Sequence, residues 1–206
     1  MTFAVIPACG KSIRMGRPKL SLKLGDRTVL EHVLNALRAG GVEQILVVVG
    51  PHVPELSPIA EANAVDVCRL EEATADMRAT VEAGLDWFER WYHPRSEDDW
   101  LLVPGDHPAL DPDVVRQLRA AREQHPEHTI VVPSFADRRG HPTLIAWKHV
   151  AGIRAHPRGQ GLNTYLRGQG KDVLELAVAN AGVLCDLDTP EDYERLRQEI
   201  RLNPPH

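Results

Sequence analysis

Phe3-Ala4-Val5-Ile6 runs directly into Pro7-Ala8-Cys9-Gly10-Lys11-Ser12-Ile13-Arg14-Met15-Gly16-Arg17-Pro18-Lys19. A short apolar run followed by glycines and cations reads as a buried strand emptying into a basic loop. Glycines let the backbone turn tightly and bring its N–H groups close to a ligand, and Lys and Arg add positive charge. Both properties suit a polyphosphate. Two common phosphate loops are excluded by spacing. Gly10-Lys11-Ser12 has the end of a Walker A loop, but Val5 stands where its first Gly belongs. Ser12 replaces the second Gly of a G-x-G-x-x-G dinucleotide fingerprint.

Beyond that loop, apolar runs alternate with helical patterns. Strands are predicted at 2–6, 44–50, 65–68, 100–104, 129–133 and 183–187. Helical spacing runs through Val29-Leu30, Val33-Leu34 and Leu37 and stops at Gly40-Gly41. It recurs through Met77, Val81, Leu85 and Phe88, and again through Val114-Val115 and Leu118. Such alternation predicts an α/β fold, a three-layer α/β/α arrangement around a mostly parallel twisted sheet. Right-handed crossovers then gather the loops after the strands along one edge, where ligands bind. Residues 1–206 read as a single domain without repeats or long linkers, with 154–170 the least regular stretch. Trp87, Trp91 and Tyr92 lie together on one helix and read as core or subunit contact ahead of base stacking.

Composition narrows the function. The 206 residues carry a net charge of −5, which argues against a nonspecific nucleic-acid or membrane-surface role. No stretch approaches the ~20 apolar residues of a membrane span, and the first strand leaves no place for a signal peptide. Cys9, Cys68 and Cys185 are scattered, with no C-x-x-C pair. They read as reduced thiols of a cytoplasmic protein, not a disulfide framework. No H-x-x-x-H pair occurs among the ten histidines, so zinc catalysis is disfavoured.

Two acidic segments bear on chemistry. Leu101-Leu102-Val103-Pro104-Gly105-Asp106-His107-Pro108 is a strand ending in a turn, which would put Asp106 at the same sheet edge as the first loop. Mg²⁺ prefers hard oxygen ligands and commonly takes one or two carboxylates plus phosphate oxygens, although Asp106 also suits a plain turn. Near the end, Thr189-Pro190-Glu191-Asp192 is a helix-start signal. Ahead of it, Asp186 and Asp188 would share one face of the predicted last strand. Between these segments, Arg138-Arg139-Gly140-His141-Pro142 reads as a basic turn joining two strand-like stretches.

Gly10…Arg14-Met15-Gly16…Pro18-Lys19 resembles the nucleotidyltransferase signature A-x-G-x-S-x-R-M-G-x-P-K. The chain is similar to the molybdenum cofactor cytidylyl- and guanylyltransferases over nearly its whole length. Gly105-Asp106-His107-Pro108 resembles the family's Gly-Asp-x-Pro metal motif. Asp186-Leu187-Asp188-Thr189-Pro190-Glu191-Asp192 resembles its Asp-x-Asp-Thr-Pro-Glu-Asp motif, and Arg138 to Pro142 matches its Arg-Arg-Gly-His-Pro. The resemblance implies a Rossmann-like nucleotidyltransferase fold with a small β-hairpin extension, and a Mg²⁺ ion on Asp106 and Asp188. It implies that Ala8, Cys9, Gly10, Lys11, Ser12, Arg14, Gly16, Lys19, Met77, Thr80 and Gly105 bind nucleotide. Lys19, Arg14 and Asp106 would serve catalysis, and His107, Gly140 and His141 would meet the acceptor.

The implied reaction moves a nucleoside monophosphate onto a phosphorylated acceptor, by analogy molybdopterin, releasing pyrophosphate. Positioning and charge neutralisation would carry it. Guanylyl relatives carry Gly where this chain has Cys9, which favours CTP over GTP. Two segments depart from the pattern. Ala75-Asp76-Met77-Arg78-Ala79-Thr80-Val81 stands in place of Glu-Gly-Met-Ser-Ser-Ser-Leu. Arg158-Gly159-Gln160-Gly161-Leu162-Asn163 stands in place of Gly-Asp-x-Gly-Ala-Arg. A sugar phosphate or another phosphorylated metabolite as acceptor, or nucleotide binding without turnover, are the competing readings.

Overall fold

The computed structural model describes residues 1–202; positions 203–206 of the expected 1–206 domain lie outside the described residues. Strand β1 (Thr2–Ala8) leads through the basic loop to a hairpin of β2 (Lys23–Leu24) and β3 (Arg27–Thr28). Helix α1 (Val29–Ala39), β4 (Gln44–Val49), α2 (Leu56–Ala62), β5 (Asp66–Arg69), α3 (Met77–Tyr92) and β6 (Asp99–Leu102) follow. The remainder comprises α4 (Pro112–Gln124), β7 (Ile130–Phe135), β8 (Arg138–Arg139), β9 (Thr143–Ala146), α5 (Val150–Ala155), α6 (Leu162–Gly168), β10 (Val173–Ala177) and α7 (Pro190–Leu202).

The main sheet has the order β10-β7-β9-β6-β1-β4-β5, with β8 hanging from β7. Strands β6, β1, β4 and β5 run parallel, as do β7 and β10. Only β9, wedged between β6 and β7, and the short β8 run against their neighbours. The fold is therefore the expected α/β arrangement around a mostly parallel sheet.

Alternation along β1 builds the three layers. Ala4, Ile6 and Ala8 face one core with Leu30, Leu34 and Leu37 of α1 and Val115 and Leu118 of α4. Phe3 and Val5 face the other, with Leu85 and Phe88 of α3 and Ile153 of α5. Each fully buried side chain of this size contributes roughly 1.5–3 kcal/mol. Helix α1 begins at a complete capping box, in which Glu31 N–H donates to the Thr28 hydroxyl and Thr28 N–H to the Glu31 carboxylate.

Three expectations need correction. The apolar run 183–187 is not a strand: Ala181–Leu184 is a single 3-10 turn. Asn180 caps that turn by accepting from Gly182 N–H, and the adjoining sheet edge is taken by β10. Asp186 and Asp188 therefore do not share a strand face. Strands β9 and β10 fall outside the predicted set. Finally, 154–170 is not the irregular stretch expected, since it ends α5 and contains all of α6.

Of the aromatic residues of α3, Phe88 is fully buried, Trp87 and Tyr92 pack partly buried against the same core, and Trp91 is exposed. Phe88 stacks against Phe3 with ring centroids 4.8 Å apart, and the Tyr92 hydroxyl donates to Asp66 at 2.8 Å. All of this lies toward the end of α3 remote from Met77. Among the described residues no helix is long and apolar enough to cross a membrane.

Candidate active site

The loop after β1 is shaped by two left-handed residues. Ser12 has φ 48° and Gly16 φ 64°, a region glycine enters without steric cost. The Ser12 hydroxyl accepts from Lys19 N–H at 3.1 Å, and Met15 N–H donates to Ser12 O at 3.0 Å. Met15 and Leu20 are buried and anchor the loop to the core. The loop thus closes on itself and delivers Lys19 at a fixed place.

At that place two carboxylates wait. Lys19 Nζ donates to Asp106 Oδ2 at 2.5 Å and to Asp188 Oδ1 at 2.8 Å. Arg14 reaches the other oxygen of Asp188 at 2.7 Å. Asp106 stands in the turn after β6, beyond Gly105, where a Cβ would lie 3.0 Å from Leu20 and 3.2 Å from Ile6. Asp188 is held differently: Leu187 is fully buried and its N–H donates to the Asp106 carbonyl at 2.9 Å. Asp192 then accepts from the N–H groups of Asp188 and Thr189 and from the Thr189 hydroxyl. The Thr189–Asp192 cap of α7 therefore aims Asp188.

The charges are mutually reinforcing. Burial pushes the Lys19 pKa down, but Asp106 and Asp188 outweigh it and raise it above the usual lysine value. The hydrogen bond from Lys19 and the nearby cations, opposed by burial, hold Asp188 below the usual carboxylate range. Among the described residues no group of three or more His, Cys, Asp or Glu gathers into a metal cluster. The donor set is two hard carboxylates already bound to one cationic nitrogen. That chemistry fits a hard divalent ion sharing its remaining positions with phosphate oxygens.

Two cavities meet at Asp106. One, of about 360 Å³, is lined by Ala8, Cys9, Gly10, Ser12, Lys19, Met77, Thr80, Gly105 and Asp106, together with Pro7, Leu20, Thr74, Asp76 and Pro104. The other, of about 340 Å³, is lined by Pro104, Asp106, His107, Asp186, Asp188, Val183, Leu184 and Arg138 to His141. The structure thus gathers most of the candidate nucleotide residues around the first cavity. Lys11 and Gly16 belong to the loop but not to the cavity wall, and Arg14 reaches Asp188 instead. His107, Gly140 and His141 line the second cavity.

Thr74 and Asp76 were not anticipated. Asp76 caps α3 by accepting from Ala79 N–H at 2.8 Å, and the Thr74 and Thr80 hydroxyls lie 2.6 Å apart. An Asp just before a helical run is the signal that could have flagged the first. The Cys9 thiol, pushed up by burial, sits beside Thr80 on the opposite wall.

Arg78, within the first departing segment, is 8% exposed. Its Nε donates to Glu82 at 2.8 Å, and its two amino groups donate to the carbonyls of Arg154, His156, Pro157 and Gln160. All five guanidinium donors are used. The two departing segments therefore touch, and a charged residue at 78 is what joins them.

Gly140 brings the second cavity together. A Cβ there would lie 2.3 Å from the Val183 carbonyl oxygen, which also accepts from His141 N–H at 2.9 Å. Gly140→Ala is expected to cost about 1–3 kcal/mol. Thermal unfolding of the variant beside the unsubstituted chain reads that loss.

His141 and His107 meet edge to face with centroids 5.4 Å apart, and the Nδ1 of each is buried without a partner. Burial first, then His107, pushes His141 down to about 4. The folded chain thus binds fewer protons here than the unfolded chain between pH 6.5 and about 4. Stability accordingly falls as pH drops through that window, by up to ~1.4 kcal/mol per pH unit. His141→Gln is expected to flatten the decline in Tm over that range; an unchanged slope would mean the ring is solvated.

Fold and site together define a nucleotidyltransferase-type protein. The MobA-like NTP transferase domain matches residues 4–173, and the chain belongs to that family. Among curated relatives, the bifunctional protein GlmU of Chelativorans sp. is 35% identical over 134 residues, 63% of this chain and 28% of that protein. The 2-C-methyl-D-erythritol 4-phosphate cytidylyltransferase of Hahella chejuensis is 34% identical over 107 residues, 49% of this chain and 42% of that one. The chain spans less than half the length of these relatives. Among solved structures, Rv0371c of Mycobacterium tuberculosis superposes with a TM-score of 0.81 at 27% identity, covering 96% of this chain and 98% of that one. A structure of Rv0371c with manganese also matches, with a TM-score of 0.75.

Proposed function

We propose that this protein transfers a nucleoside monophosphate, CMP from CTP, onto a phosphorylated acceptor and releases pyrophosphate. The observation that carries the reading is Asp106, shared by two adjoining cavities and held with Asp188 by Lys19. Two substrates seated on either side of one charged centre are what a group transfer needs.

The loop from Gly10 to Gly16, with Ser12 and Arg14, would hold the β- and γ-phosphates. Lys19 uses two of its three donors on the carboxylates, leaving the third for an α-phosphate oxygen. An acceptor phosphate oxygen forms a bond to the α-phosphorus as the bond to the bridging oxygen of pyrophosphate breaks. An acceptor phosphate is already anionic at neutral pH, so no general base is required. A divalent ion, Mg²⁺ in this reading, would be held by Asp106 and Asp188 and would neutralise phosphate charge there. His107, Gly140 and His141 would line the acceptor side. Cys9, standing where guanylyl relatives carry Gly, favours CTP over GTP, in keeping with a relative named as a cytidylyltransferase.

Molybdopterin is the acceptor the motif resemblance implies. A second reading, a polyol or sugar phosphate, is favoured by the Hahella relative, named for methylerythritol phosphate. Pyrophosphate release with Mg²⁺ and each of CTP, GTP and ATP, against molybdopterin and a panel of sugar and polyol phosphates, tests both. Release with CTP and one acceptor class identifies the substrate. Nucleotide binding with silence across the panel would sink the transfer reading.

A further inference from the structure

Behind the acceptor cavity lies a side chamber of about 110 Å³, and Arg139, Gly140 and His141 line both. A cavity of this size admits a small polar group. On its α6 side it is lined by Asn163 and Arg167, both of them exposed. Four residues apart on a helix, the two lie on the same face. Thr143 of β9 also lines it, and among the described residues no carboxylate does. The cations differ in their partners. Arg139 is paired with Glu175, whereas Arg167 has no ion pair or side-chain hydrogen bond among the described residues. Where it adjoins the acceptor cavity, His141 and the neighbouring His107, which is 7% exposed, each keep a buried Nδ1 without a partner among the described residues.

We propose that the acceptor carries a second anionic group, a phosphate or carboxylate, seated in this chamber against Arg167 and Asn163. The proposal rests on the transfer reading above and narrows its substrate class to small acceptors anionic at two ends. Arg167 is then a specificity-determining residue. It stands one helical turn beyond Asn163, which takes the place of the Arg in the family's Gly-Asp-x-Gly-Ala-Arg pattern. A guanidinium offers the bidentate geometry that phosphate and carboxylate share. Arg78, by fixing the segment that leads into α6, sets where this wall stands.

The test uses the whole chain with Mg²⁺ and a non-cleavable α,β-methylene analogue of CTP. Bisphosphates of straight-chain diols with three to six carbons are titrated calorimetrically, beside the monophosphates of the same diols. At least one bisphosphate should bind about tenfold tighter than its monophosphate, the effect of one charge-assisted contact. Arg167→Gln should erase that advantage while the monophosphate Kd changes less than twofold and Tm is unaltered. Carboxyalkyl phosphates titrated in parallel separate a phosphate-selective chamber from a carboxylate-selective one. The proposal is overturned if no bisphosphate outperforms its monophosphate, or if the advantage survives Arg167→Gln. Failure to bind the nucleotide analogue sinks the transfer reading and this inference with it. Nucleotide binding without discrimination between the probes sinks this inference alone.

Discussion

Lys19→Ala is expected to lower turnover by about 10²–10³-fold, the ~3–4 kcal/mol typical of one preorganised electrostatic group, while leaving the fold intact. The ammonium is the contact shared by Asp106 and Asp188. Its removal leaves two carboxylates facing each other, with only Arg14 to answer the charge of Asp188. The Asp188 carboxyl should then titrate closer to the ordinary carboxylate range, because the hydrogen bond from Lys19 is the first cause of its lowered pKa. Rate measurements at saturating nucleotide, with an NMR titration of Asp188, check both halves. A variant with near-normal turnover would overturn the role given to Lys19. One that loses turnover without a shift at Asp188 would place Lys19 in catalysis but not in organising the carboxylates.

Arg78→Leu is expected to be the most destabilising single change near the site. Removing a buried cation leaves four carbonyls of the 154–160 segment without a donor and Glu82 without its partner. Loss of one member of a buried charged network costs about 3–5 kcal/mol. At roughly 2–4 °C of Tm per kcal/mol for a chain of this length, the midpoint should fall by about 10 °C. Thermal unfolding by calorimetry reads this directly. Arg78→Lys should recover only part of the loss, because three rotating donors cannot replace five in a fixed fork. A shift of less than about 2 °C would mean that water replaces the guanidinium.

Arg78 also shows where reading residues against a family pattern misleads. In sequence, a charged residue among small ones looks like damage to a ligand surface. In the structure it is buried, does not line the first cavity, and is directed at carbonyls some eighty positions along the chain. Neither departing segment reveals that the two form one contact, since neither contains its own partner.

The chain by itself determined the elements with strong local signals. Alternation in β1 dictates two faces, Thr28 and Glu31 start α1, and Thr189 to Asp192 start α7. The glycines and cations of 10–19 announce a phosphate-type loop before any fold is known. Tertiary structure decided the rest. Val183-Leu184-Cys185 has the apolar pattern of a strand, but a strand needs a neighbour with free edge groups, and β10 occupies that place. Asp188 therefore reaches Lys19 through the buried Leu187 and the α7 cap and not through strand alternation. The antiparallel pairing of β9, legible only as a strand-like stretch after Pro142, and the chamber beside α6 were hidden for the same reason. Local sequence fixes which way a side chain points within its own element, whereas pairing, register and cavities arise between residues far apart in the chain, whose closeness no local pattern records.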